Sequence, residues 1–344
     1  MSPQKRVLVT GGSGYIASYV IAQLLSEGYD VATTVRSLGR EPHVREQLAK
    51  IAPNQTKLSF FALDLTNDIG WAEAMDSVDF VQHIASPIPV VQPKHDDDLI
   101  VPARDGTLRA LRFARDAGVK RVVLTSSTAA ITYGLSGPAT RLFTENDWTD
   151  ATSPDANAYI RSKTIAEKSA WDFIRAEGGA LELTTINPGA VLGPVLGNDY
   201  SASIQIVEKL MKGDFPGSPR LGFPLVDVRD IADLHVRAMT NPAAAGERFL
   251  GAGAFYWIED VAKILRDDLG TQAKKVPAGT LPTWLMRILA NFDPAVKGIA
   301  FELEKERPIS NEKARTILGW SPRDARISII DTARSLIREG VVRV

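Results

Sequence analysis

The chain has 344 residues, 44% of them hydrophobic, enough apolar material to bury a sizeable core in one large domain or two smaller ones. Its 40 basic and 41 acidic residues nearly cancel, to a net charge of -1, and no basic block stands out, so composition supports neither nucleic acid nor an anionic membrane as a partner. Cysteine is absent, which excludes disulfides, thiolate catalysis and cysteine-held metals.

Four histidines, His43, His83, His95 and His235, lie singly with no metal-ligand spacing, so no metal is expected. A strand begins within a few residues of Met1, no apolar leader precedes it, and no apolar run is long enough to span a bilayer. The expectation is a cytoplasmic protein, monomer or homodimer, acting on a small molecule.

Val7 to Thr10 reads as a short apolar strand, followed by the turn Gly11-Gly-Ser13-Gly14-Tyr15-Ile16-Ala17. Gly11 lets the backbone leave the strand sharply, Gly14 has no side chain to block a phosphate, and Ala17 lets the next helix pack closely on the strand. The free N–H groups and positive dipole end of that helix favour a pyrophosphate. Plain turns also use glycine, but this one opens the chain in a strand–turn–helix setting.

Apolar residues at Ile16, Val20, Ile21, Leu24 and Leu25 have helical spacing, and Gly28 stops the helix. Asp30 to Arg36 is rich in β-branched residues and predicts the second strand. A helix over Glu41–Ile51, a third strand over Leu58–Ala62, a short helix near Trp71 and a fourth strand over Val78–Ile84 follow. Ala85-Ser86-Pro87-Ile88-Pro89 breaks that strand, and a long helix covers Asp96–Ala117. A fifth strand, Arg121–Thr125, ends in Ser126-Ser127-Thr128. The next helix spans Asn157–Arg175, and a sixth strand, Leu181–Ile186, exits into Asn187-Pro188-Gly189.

Beyond Gly193 glycine and proline punctuate the chain. Expected there are helices over Ala202–Lys212, Asp230–Met239 and Ile258–Leu269, and extended pieces over Pro224–Val228 and Glu247–Leu250. The alternation predicts an α/β, Rossmann-type doubly wound parallel sheet with helices on both faces. A smaller, mostly helical C-terminal substrate lobe is expected to close over the strand exits. The division reads as residues 1–189 plus 224–252 for the dinucleotide-binding part and 190–223 plus 253–344 for the lobe. Ligands of such sheets sit beyond the carboxyl ends of the strands, where Gly11–Ile16, Arg36, Asp64, Leu65, Ile84–Ser86 and Ser126-Ser127 fall.

Tyr159 and Lys163, four residues apart, share one face of their helix. A nearby ammonium favours a phenolate and fits the tyrosine for general acid–base work, although an amphipathic helix would account for the same spacing. Ser127 lies 32 residues before Tyr159 at a strand exit, where a hydroxyl can hold a carbonyl oxygen; Ser126 and Thr128 compete for that role.

Thr10-Gly11-x-x-Gly14-x-x-Ala17, Ser127 and Tyr159-x-x-x-Lys163 resemble the short-chain dehydrogenase/reductase superfamily in its extended branch. Four further stretches are similar to dihydroflavonol, cinnamoyl-CoA and related aldehyde or ketone reductases: Thr125-Ser126-Ser127, His83-Ile-Ala85-Ser86-Pro87, Asn187-Pro188-Gly189-x-x-x-Gly193-Pro194 and Val226-Asp-Val-Arg-Asp-Ile-Ala232. The resemblance implies that Tyr159 gives a proton to a carbonyl oxygen, Ser127 positions that oxygen, and Lys163 lowers the tyrosine pKa and binds the nicotinamide ribose. It also implies that Pro188, Gly189 and Val191 lie along the nicotinamide, that Ile84, Ala85 and Ser86 pass its ribose, and that Asp64 and Leu65 meet the adenine.

The acid that would bind an NAD ribose is not at the second strand's exit; Arg36 is, and a guanidinium there suits the 2′-phosphate of NADP(H), with Arg40 assisting. Asp105, before Gly106-Thr107, departs from the family's usual Asn or small residue and leaves open what stands behind Lys163. Pocket candidates are Ser86, Ser127 and Tyr159, with Ile88, Tyr200, Phe223 and Pro224 in loops near the strand exits. The expected activity is NADPH-dependent reduction of an aromatic or aliphatic aldehyde or ketone. The alternatives are a nucleotide-sugar epimerase or dehydratase with tightly held cofactor, and a non-catalytic NADP-sensing regulator.

Overall fold

The computed structural model describes residues 5–87, 95–135, 141–197, 200–292, 296 and 298–344. Its first half alternates as β1 (Arg6–Thr10), α1 (Tyr15–Ser26), β2 (Asp30–Val35), α2 (Glu41–Ala49), β3 (Leu58–Ala62), α3 (Trp71–Met75), β4 (Phe80–His83), α4 (Asp97–Asp116), β5 (Arg121–Thr125), α5 (Ala158–Glu177) and β6 (Glu182–Pro188). Then come β7 (Ala190–Leu192), α6 (Ala202–Lys212), β8 (Ser218–Pro219), β9 (Gly222–Asp227), α7 (Val228–Thr240), β10 (Arg248–Gly251), β11 (Phe255–Trp257) and α8 (Ile258–Leu269). β12 (Thr280–Leu281), α9 (Thr283–Leu289), α10 (Glu312–Leu318) and α11 (Ala325–Arg338) follow.

Seven strands form one parallel sheet in the order β10-β6-β5-β4-β1-β2-β3, so the expected doubly wound sheet is present. The order reverses between β4 and β1, which makes their exits the crevice of the sheet. Val7 and Val9 of β1 pack with α1 and α7 through Ile21, Leu24, Ile231 and Leu234. Leu8, between them, faces the opposite layer with Trp71, Leu111 and Phe173. Period-two alternation therefore loads both faces, and each such fully buried chain contributes roughly 1.5–3 kcal/mol.

Asn157 caps α5 from outside, its side chain accepting the Ile160 N–H at 3.0 Å, and β6 runs on to Pro188, past its expected end. The smaller part holds more than helices. β11-β9-β7 make a three-stranded sheet and β12-β8 a two-stranded one. β9 thus spans the expected boundary at 224, while α7 packs on the large sheet and β10 joins it. Gly189 is the crossing from large sheet to small: its N–H reaches Gly251 O at 3.2 Å, and a Cβ there would stand 2.3 Å from Pro224 O.

Candidate active site

The glycine turn is built by close approach. Gly11 has φ of +74°, and a Cβ on it would meet Ala85 Cα and Cβ at 3.1 Å. Gly12, to which sequence reasoning gave no role, is held tighter still: a Cβ would stand 2.2 Å from Thr33 Oγ1. Gly14 caps α1 with extended φ and ψ and no side-chain bond, and its carbonyl accepts the first intrahelical N–H, from Ser18, at 3.0 Å. The N–H groups just before Ser18 have no intrahelical acceptor, and they meet the sheet crevice. Tyr15 contributes only backbone there. Its ring is buried edge-on to Tyr19, and its hydroxyl lies near Gly193 with no hydrogen-bond partner.

Thr10 ties the β1 exit to the β4 exit. Its Oγ1 accepts the N–H groups of Ile84 at 3.1 Å and Ala85 at 3.0 Å and lies 3.0 Å from His83 Nδ1. Burial, with the Lys163 charge second, pushes His83 down to about 3, so it is a neutral acceptor for the Thr10 hydroxyl. Ser86 is half-buried at the same exit, and Ile88 lies outside the described residues. Arg36 is exposed beyond β2. It helps hold the Asp64 carboxyl below its usual range, although the two Thr66 bonds to Asp64 Oδ1, at 2.6 and 2.8 Å, are the larger cause. Leu65 sits against Gly106, where a Cβ would stand 3.0 Å from the Leu65 Cβ, and its carbonyl accepts from Arg109.

The two serines after β5 have separate partners. Ser126 Oγ donates to Glu167, a residue buried on α5. Ser127 Oγ accepts the Ala129 N–H at 3.1 Å and lies near enough to the Tyr159 hydroxyl to act on its pKa. Tyr159 is 38% exposed. Burial of the phenol nonetheless raises its pKa, and Ser127 opposes that rise. Lys163 Nζ reaches Thr125 O at 3.4 Å, and burial brings it down to about 8, with Glu167 opposing. Behind Lys163 stand Thr125 and His83. Asp105 pairs with Arg104 at 2.7 Å, and both are partly solvated.

A buried charge pair that sequence reasoning missed sits beneath the serines. Arg248 Nε meets Glu167 Oε1 at 2.6 Å, Asn187 Nδ2 donates to Glu167 Oε2 at 2.7 Å and to Ser127 O at 3.1 Å, and the guanidinium lies 3.7 Å over the Trp148 ring. Only the i, i+4 spacing of Lys163 and Glu167 hinted at it. Pro188 and Gly189 lead into Val191, which is buried in β7.

A small cavity opens beside the Ser127 turn, lined among others by Thr128, Tyr133, Ala190, Phe223, Pro224 and Phe255. Phe223 and Pro224 were expected in it; Tyr133 and Phe255 were not. Tyr200 lies outside this lining, its hydroxyl donating to Glu208 at 2.8 Å. Among the described residues no helix is long and apolar enough to cross a membrane.

The residues fit a dinucleotide: the cradle tolerates no Cβ at Gly11 or Gly12 without displacement, and a cation stands at the β2 exit. Comparison with known proteins agrees with the expected kinship. Residues 7–250 match the NAD dependent epimerase/dehydratase family. Ketoreductase azaE of Aspergillus niger is 31% identical over 354 residues, covering 98% of each chain. Cinnamoyl-CoA reductase CAD2 of Medicago truncatula is 34% identical over 265 residues, 76% of this chain and 80% of that one. Among solved structures, yeast methylglyoxal/isovaleraldehyde reductase Gre2 complexed with NADPH superposes with a TM-score of 0.80 at 28% identity, over 98% of this chain and 100% of that one. The chain belongs to the NAD dependent epimerase/dehydratase family.

Proposed function

We propose that this family member is an NADPH-dependent oxidoreductase that reduces an aldehyde or ketone to an alcohol. The observation that carries the reading is that Ser127 acts on the Tyr159 phenol beside a cavity lined by Tyr133, Phe223 and Phe255, while Ser126 is engaged elsewhere by Glu167. Reductase names among the relatives, and NADPH in the Gre2 structure, support the reaction class and the cofactor.

A reduced nicotinamide, when bound, supplies hydride to the carbonyl carbon. Ser13, Tyr15 and Ile16 would hold the pyrophosphate by backbone N–H, Gly11 and Gly14, whose own N–H groups bond Thr34 Oγ1 and Gly11 O, would shape the turn around it, and Arg36 would hold the 2′-phosphate. Asp64 and Leu65 would flank the adenine; Ile84, Ala85, Ser86, Pro188, Gly189 and Val191 would flank the nicotinamide end. Ser127 receives the Ala129 N–H on one lone pair, and its hydrogen, which serves the Tyr159 oxygen in the free protein, would turn to a substrate oxygen. Tyr159, kept protonated by burial, gives its proton to that oxygen as charge develops. Lys163, positive below about pH 8, offsets the negative charge left on the phenol.

The test follows NADPH absorbance against a panel of aromatic and aliphatic aldehydes and ketones. Tyr159→Phe should lower kcat by roughly 10²–10⁴-fold while NADPH binding is retained. Undiminished turnover in that variant would refute the mechanism.

A further inference from the structure

The cavity carries a feature that carbonyl reduction alone does not use. Besides Phe223 and Phe255, its lining includes Tyr133, Glu302 and Arg307. Glu302 is 6% exposed, and its Oε2 is ion-paired with Arg307. Arg307 is itself fixed: Nε donates to Thr132 O at 3.1 Å, and the guanidinium stacks 4.2 Å from the Tyr133 ring centroid. Glu302 Oε1 is buried with no hydrogen-bond partner. Lys305, the other nearby cation, is held by Asp155 at 2.6 Å.

A carboxylate oxygen in that position costs free energy until a donor reaches it. One guanidinium already balances the carboxylate, so the site has no net charge with which to draw an ammonium group. A neutral O–H is the complement, and the Tyr133 hydroxyl, which already acts on Glu302, is a donor of that kind from the protein's own side of the cavity. The cavity also adjoins the reacting groups, because Thr128 in its lining directly follows Ser127.

We propose that Glu302 is a specificity-determining residue whose Oε1 accepts a hydrogen bond from a hydroxyl carried by the carbonyl substrate. The site thus selects hydroxyaldehydes and hydroxyketones over their deoxy counterparts. This rests on the carbonyl-reductase reading of Ser127 and Tyr159. A site built around a hydrogen bond rejects the analogue that lacks it, because its own polar atom is then left unpaired.

The experiment compares acetophenone with the ortho, meta and para hydroxyacetophenones, and butanone with its near-isostere hydroxyacetone. Two readouts are taken: kcat/KM with NADPH, and calorimetric binding of the same ketones to protein loaded with NADP⁺. At least one hydroxylated member should be preferred roughly ten- to a hundredfold in the wild type. Glu302→Gln keeps an oxygen for Arg307 and offers the cavity an NH₂, which donates to a hydroxyl or an ether oxygen alike, so the matching methoxyacetophenones, which accept but cannot donate, complete the series. The wild type should prefer hydroxyl over methoxy, and the variant should lose that discrimination while NADPH affinity holds. No hydroxyl preference in the wild type, or a hydroxyl-over-methoxy preference that survives in Glu302→Gln, overturns the proposal. A hydroxyl-dependent binding preference without turnover of any carbonyl compound would instead sink the reductase reading and leave Glu302 in its role.

Discussion

At the scale of single residues, the most informative side chain is Arg36, the exposed guanidinium after β2 that we propose holds the 2′-phosphate. Its position at the β2 exit, close enough to influence Asp64, was legible from strand length and charge alone. Arg36→Ser should raise the KM for NADPH about ten- to a hundredfold, the worth of a charged hydrogen bond, and leave that for NADH almost unchanged. Equal weakening of both would mean that Arg36 shapes the loop rather than the choice of cofactor. The placement of Ser127 at a strand exit and of Tyr159 and Lys163 on one helix was also legible, since helix spacing and a strand exit are local facts. The bond that engages Ser126 was not: it depends on Glu167, 41 residues beyond Ser126, and on whether its carboxylate is buried. Glu302 and Arg307 carried no local signal either, because their meaning comes from Thr132 and Tyr133 far upstream.

At the scale of elements, β3, β5, α6 and α8 occupy the residues that periodicity gave them, because each is bounded by clear turn residues. The three-stranded sheet escaped notice. β7 and β11 have three residues each, too few to show alternation, and their common partner β9 lies 30 residues from one of them. That sheet begins at Gly189, where the chain leaves the large sheet and has no room for a side chain. Gly189→Ala would press a Cβ onto Pro224 O at 2.3 Å and Ala252 Cβ at 2.8 Å. Relief would require shifting backbone that pairs Ala190 with Leu225. Urea unfolding should show a loss of about 1–3 kcal/mol. A loss within about 0.5 kcal/mol would mean that the crossing flexes freely.

At the scale of the whole molecule, the layers are joined by buried polar groups as well as by apolar packing. His235 of α7 lies 3.1 Å from Thr125 Oγ1 and 2.8 Å from Gln82 Oε1, while Gln82 donates to His235 O at 3.1 Å. One imidazole thus links α7 to β4 and β5 under the site, and burial pushes it down to about 3. In the unfolded chain it titrates near 6.5, so between those values the unfolded state binds more protons. The contribution is fully present above pH 6.5 and is lost as pH falls toward 3. The loss is up to about 1.4 kcal/mol per pH unit. His83 follows the same rule at the β4 exit. His235→Gln cannot titrate, and the carboxylates it leaves behind affect wild type and variant alike. Urea unfolding at about pH 6.5 and about pH 4.5 should therefore show wild type losing roughly 2–3 kcal/mol more than the variant. Whether the substituted protein is weaker overall does not bear on this, because only the slope reports the histidine. Equal slopes would show that water or a rearranged Gln82 solvates the protonated ring in the folded state, and that α7 is joined to the sheet by its apolar face alone.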